Sequence, residues 1–159
     1  MKNPNWPRWI FASASKHFFD AGAAATPAIP VFVENQKRDT EEEITLWEFR
    51  LDGPNIVELS KNFYELKVEI NILIQTKLDI EDAHRHFDVV GIAQEKMENT
   101  ISVFKYGNRA GDDDTFLECL HLRTEINEPV FVNHFGQIEP TTHITQSTVE
   151  GHYRMTLST

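Results

Sequence analysis

The chain has 159 residues, 40% of them hydrophobic and 11% aromatic, which suits one folded domain with a real core and excludes a disordered chain. The formal net charge is −10, from 25 acidic and 15 basic residues, and that balance disfavours general binding to phosphate backbones. No apolar stretch approaches the ~18–20 residues of a membrane span, no secretory signal is expected at the N-terminus, and the single cysteine, Cys119, reads as a buried thiol inside an apolar run.

The first predicted element is a short helix over residues 5–20. Trp6, Ile10 and Phe18 share a stripe, and Pro7 suits a first helical turn. Residues 21–30, AGAAATPAIP, read as a small-residue linker broken by Pro27 and Pro30. A short strand at 31–33 and a polar loop at 34–43 follow. Residues 44–51, ITLWEFRL, form a strand in which Ile44, Leu46 and Glu48 oppose Thr45, Trp47, Phe49 and Leu51. Both sets are largely apolar, so cover on both faces is expected. Asp52-Gly53-Pro54 signals a turn, followed by a brief run over 56–59.

Residues 62–76, NFYELKVEINILIQT, alternate strictly. Tyr64, Leu66, Val68, Ile70, Ile72 and Ile74 fall on one face, with Glu65, Lys67, Glu69, Asn71 and Gln75 on the other. Such a strand has one buried and one wet face. At ~3.3 Å per residue it spans roughly 50 Å, against the usual ~17–20 Å. A strand that long projects from its own core, so part of its sheet is expected to contact another subunit.

Residues 79–97 are the main helix. Thr76 and Asp79 offer cap oxygens, and Glu81 and Asp82 occupy the first turn, where the helix dipole favours acids. Ile80, Ala83, Phe87, Val90 and Met97 make the expected apolar stripe. Gly91 either costs a little there or permits close packing. Strands follow at 101–105, 116–122, 130–135 and 142–157, with a Gly- and Asp-rich loop at 106–115. In the last strand Val149, Tyr153, Met155 and Leu157 share one parity. Ile144 lies on the other, which predicts a bulge between Ile144 and Val149. The element order predicts a single α+β domain over 1–159: a mostly antiparallel sheet with long strands, backed by one main helix plus a short N-terminal helix.

Chemistry is sparse. His84 and His86 stand two apart on a helix and point roughly 200° apart, whereas a zinc pair on a helix needs four-residue spacing. His121, His134, His143 and His152 are spread over strands and loops, and their convergence is not signalled. Cys119 sits in strand interior rather than at an activating helix N-terminus. Nucleophile-elbow, phosphate-loop and dinucleotide fingerprints are absent from the sequence. No catalytic, cofactor-binding or metal-ligating residue is therefore assigned, and an enzyme is not expected. The acidic runs Glu41-Glu42-Glu43 and Asp112-Asp113-Asp114 read as solvated loops, the second lacking EF-hand spacing. Trp47, Phe49, Phe63 and Tyr64 are candidates for an aromatic binding face, for core, or for interface anchors, with interface favoured for some.

Three stretches carry a family resemblance. They are Trp47-Glu48-Phe49-Arg50-Leu51-Asp52-Gly53-Pro54, the strand end Val68-Glu69-Ile70-Asn71-Ile72-Leu73-Ile74-Gln75, and His134-Phe135-Gly136-Gln137-Ile138 followed by Gln146-Ser147-Thr148-Val149-Glu150-Gly151-His152-Tyr153. Together with the element order they resemble structural proteins of tailed bacteriophages, in particular lambda-type tail terminators. The resemblance implies a virion protein of the neck or tail, assembled as a homo-hexameric ring that caps the tail tube and meets neck proteins. Genomic DNA would pass through its lumen without specific binding, and at least one acidic run would line the channel or rim. A neck connector or tail tube protein is the alternative within that class. A small metal- or ligand-binding enzyme domain is the alternative outside it.

Overall fold

The computed structural model describes residues 2–34, 45–77, 83–139 and 144–159. The elements are α1 (Trp6–Ala24), β1 (Val31–Val33), β2 (Thr45–Ser60), β3 (Phe63–Lys77), α2 (Ala83–Glu98), β4 (Ile101–Phe104), β5 (Phe116–Leu122), β6 (Val130–Glu139) and β7 (Ile144–Ser158). The sheet runs β1-β2-β3-β7-β5-β4, with β6 also pairing β7. Among the described residues only the β1–β2 pair is parallel; the others are antiparallel. This is an α+β fold.

The alternating segment is the central strand. Tyr64, Leu66, Val68, Ile70, Ile72 and Ile74 are all buried, and the β3–β7 ladder runs unbroken from Phe63↔Ser158 to Lys77↔Ile144. Both helices lie on the face these residues form. Trp6, Trp9, Ile10, Ala14 and Phe18 of α1 join Val89, Val90, Ala93 and Met97 of α2 in one core cluster with β3. Each large apolar side chain buried there contributes about 1.5–3 kcal/mol, an upper bound because the unfolded chain already buries some surface. His17 of α1 ties the helices together through Nε2 to the Lys96 carbonyl, 3.1 Å.

Several expectations are corrected. The helix does not stop at residue 20: it continues to Ala24, because alanines propagate a helix and only Pro27 forbids it. The supposed linker is therefore a helical turn plus a short return in which the Ile29 N–H donates to the Gly22 carbonyl at 2.9 Å. Asp52-Gly53-Pro54 is not a chain reversal. The register passes from Asp52↔Glu69 to Asn55↔Lys67, so these residues form a bulge inside one long strand. Gly53 has φ 105°, a conformation that glycine adopts without Cβ strain. The reversal comes at Lys61-Asn62, where Asn62 is left-handed at φ 62°, as Asn tolerates.

The α2 stripe is displaced in phase. Val90 and Met97 are buried, but Phe87 is 57% exposed and His86 is 2% exposed in its place. Ile80 and the cap residues Asp79, Glu81 and Asp82 lie outside the described residues, as do the loop residues 35–44. Gly91 is exposed, and a Cβ there would meet nothing within 4 Å, so close packing does not explain it. β7 carries no bulge against β3; the two irregularities lie in its pairing with β6, between His134 and Gly136 and between Gln137 and Glu139. Ile144 simply occupies the other face. Cys119 is half-buried rather than buried. Leu120 faces the core, and strand alternation then turns Cys119 outward, where its Sγ lies 3.8 Å from Ser102 Oγ.

Candidate functional site

The β2–β3 hairpin changes character along its length. β1 pairs with β2 only at Trp47, Glu48 and Phe49, so among the described residues the outer edge of β2 beyond Arg50 carries no paired strand. An unpaired edge is a template for another chain unless it is blunted. Ile56 and Glu58 stand opposite Leu66 and Tyr64, on the helix-covered face, while Val57 stands opposite Glu65 on the other. Val57 is 53% exposed, Leu59 52% and Phe63 38%. Of the four aromatic candidates, Trp47, Phe49 and Tyr64 are therefore core residues, and only Phe63 is available to a partner. Trp6 meets Tyr64 edge-on at 5.3 Å, which closes the core side at this end.

The face of the sheet opposite the helices is polar and crowded with charge. Cross-strand register puts Asp52, Glu69 and His152 in one row, and Arg50, Asn71 and Glu150 in the next. His152 Nδ1 lies 3.3 Å from Glu69 Oε1, and its ring stacks on Phe131 with centroids 5.9 Å apart. Ligand atoms of Glu69, Glu150 and His152 all fall within 4.8 Å of one another. Burial raises the Glu150 carboxyl above its ordinary pKa, and the charges of Glu69 and Asp52 add to that against the opposing pull of His152. Beside this block, Asp52, Asn55, Lys67, Glu69 and Arg123 line a cavity of about 170 Å³. The spacing of the histidines along the chain concealed this convergence, because β3 and β7 are far apart in sequence and adjacent in space.

A second histidine arrangement is structural. His86 Nδ1 is 3.0 Å from Thr76 Oγ1 and its Nε2 is 2.8 Å from Ser147 Oγ. His134 Nδ1 reaches the same Ser147 hydroxyl at 2.7 Å. Burial is the main cause holding the His86 pKa below its ordinary value, with His134 adding to it. Ser147 is fully buried, so its hydroxyl is sealed from any substrate and serves to join α2, β3, β6 and β7. Next to it Phe87, Val90, Gly91, Val132 and His134 line a groove of about 570 Å³ between α2 and β6. Phe87 meets the His134 ring edge-on at 5.1 Å.

The acidic loop is not the free run expected. The Asp112 side chain is buried. It accepts from Arg8 Nη1 at 2.5 Å, Arg8 Nη2 at 2.9 Å, Trp9 Nε1 at 2.6 Å and the Arg109 N–H at 3.0 Å. The Arg8 hydrogen bond is the main cause holding its pKa far below the usual carboxylate range. Asp113 accepts from the Thr115 hydroxyl and N–H. The loop is thus latched to α1. Glu41, Glu42, Glu43 and His143 lie outside the described residues, while His84 and His121 are exposed.

No family model matches the chain, and no curated protein matches it. Among solved structures, a chain whose name carries no functional description aligns at 15% identity with a TM-score of 0.49, covering 96% of this chain and 95% of that one.

Proposed function

We propose that this protein is a structural component of a tailed-phage virion, a tail terminator that assembles as a homo-hexameric ring, caps the tail tube and joins it to the neck. The observation that carries this reading is the distal half of the β2–β3 hairpin. Among the described residues it extends past the cover of β1 with an unpaired edge and with Val57, Leu59 and Phe63 exposed. A head-to-tail contact uses one patch on each subunit and a different patch on its neighbour, and it closes into a ring when the rotation allows. An edge strand and an apolar tip supply the first patch. The net charge of −10 keeps phosphate from adhering to a DNA-conducting lumen. In this reading the protein works by shape and assembly and performs no catalysis. DNA passes through it without specific binding, and the tail tube and neck proteins are its partners.

Native mass spectrometry and negative-stain imaging of the purified chain test the reading. A ring of six is the expected outcome, lost in a Val57→Lys/Leu59→Lys variant that remains folded by circular dichroism. A wild-type chain that stays monomeric at high micromolar concentration overturns it.

A further inference from the structure

We infer that Glu69, Glu150 and His152 form a binding site for a divalent first-row metal ion, with Mn²⁺ and Zn²⁺ as the fitting ions. The site stands on the cross-strand geometry alone and does not depend on ring assembly. Its frame is rigid: Glu69 opposes His152 and Asn71 opposes Glu150 across the unbroken ladder of β3 and β7. Directly opposed residues on one sheet face have Cβ atoms ~4.5–5.5 Å apart, so four polar side chains stand in a two-by-two block. Three of them already bring ligand atoms within 4.8 Å of one another. Ligands around zinc sit at ~2.0–2.2 Å from the ion and hence ~3–3.5 Å from each other, a closure that side-chain rotation alone can supply.

A second observation is an amide oxygen beside these ligands. Asn71 Oδ1 is buried with no hydrogen-bond partner among the described residues, and its residue flanks Glu69 and Glu150 on the same face. A buried acceptor left unpaired is unfavourable, and an ion nearby, or a water held on it, would satisfy this oxygen. The surrounding charge agrees. Asp52, Glu69 and Glu150 crowd one patch, while Arg50 is engaged by Glu48 at 3.2 Å and Glu34 at 4.0 Å, and Arg154 reaches Glu65 and Glu125. Phe131 stacks on the imidazole with centroids 5.9 Å apart and leaves it less room to turn.

The donor set selects the ion class. Carboxylate and amide oxygens suit Mn²⁺, imidazole suits Zn²⁺ and its neighbours, and Mg²⁺ prefers to keep its waters. Bound there, the ion would pin β3 to β7 at the middle of the sheet and neutralise the acidic patch.

Equilibrium dialysis of the metal-free full-length chain against Zn²⁺ and Mn²⁺, with Mg²⁺ as control, tests the site. One ion per chain is expected for Zn²⁺ or Mn²⁺. The affinity should fall at least tenfold in Glu69→Gln and in Glu150→Gln, and binding should vanish in the double variant. Crystals of the wild-type chain grown with Mn²⁺ give a test that needs no variant: an anomalous peak should lie between Glu69, Glu150 and His152. The inference is overturned by failure of both ions to bind stoichiometrically, by full affinity in the double variant, or by a peak located elsewhere with this site empty.

Discussion

The two ends of β2 share a partner strand and differ in almost everything else. Thr45, Leu46, Trp47, Glu48 and Phe49 are all buried, whereas Val57, Glu58, Leu59 and Ser60 are all exposed. Both stretches pair with β3, so backbone hydrogen bonding does not distinguish them. The proximal end has β1 on its edge, and Phe18 of α1 packs against Phe49 at 5.9 Å. The distal end lies beyond the bulge, with an edge that no strand among the described residues pairs and with an apolar tip. Strand length here exceeds what the described residues cover, and the surplus presents an open edge of the kind that pairs with another chain.

Four measurements test that contrast. The largest effect belongs to the proximal end. Trp47→Ala should cost about 3–5 kcal/mol, a large share of a typical ~5–15 kcal/mol domain stability. Urea denaturation should show this as a markedly lower midpoint. An unchanged midpoint would mean that the proximal end is not the structural anchor.

His86 links the proximal end of β3 to α2 and β7, and the next largest effect is placed there. His86→Ala leaves the buried hydroxyls of Thr76 and Ser147 without that partner and should cost about 1–3 kcal/mol. The pH dependence has a definite sign. Burial lowers the folded-state pKa of His86, and His17 is lowered for the same main reason. Below the ordinary histidine pKa of about 6.5 the unfolded chain takes up protons that the folded chain refuses, so stability falls as pH drops through that range and recovers above it. Urea midpoints at pH 8 and pH 5.5 should differ in the wild type and differ less in His86→Ala.

Phe87 provides a smaller test. The sequence pattern places it in the buried stripe, where truncation would cost ~3–5 kcal/mol. Exposed as it is, with an edge-on contact to His134, Phe87→Ala should cost about 1 kcal/mol or less. A loss above ~3 kcal/mol would restore the original helix phase.

The smallest effect on subunit stability belongs to the distal end. Val57→Lys and Leu59→Lys should each change it by within about 0.5 kcal/mol, because neither side chain is buried in the isolated chain. Under the assembly reading the same substitutions abolish the ring. A large thermal destabilisation of the monomer would show instead that the tip folds back on its own core.

Much of this architecture was legible in the sequence, because local periodicity encodes it. The alternation over 62–76 selected the strand and its buried face, since successive side chains in a strand point to opposite sides. The same rule put Val149, Tyr153, Met155 and Leu157 together on one face of β7, where all four are buried, and the covered character of residues 44–51 followed from apolar residues on both parities. What tertiary structure alone decided is non-local. Whether Asp52-Gly53-Pro54 turns the chain or bulges it depends on whether β3 continues to pair beyond it. His86 replaced Phe87 on the inner face of α2 because Thr76 and Ser147 satisfy its ring nitrogens, which hydropathy does not register. Asp112 left solvent because Arg8 and Trp9, over a hundred residues away, offered it donors. Glu69, Glu150 and His152 converged because antiparallel register sets side by side residues that sequence distance keeps apart.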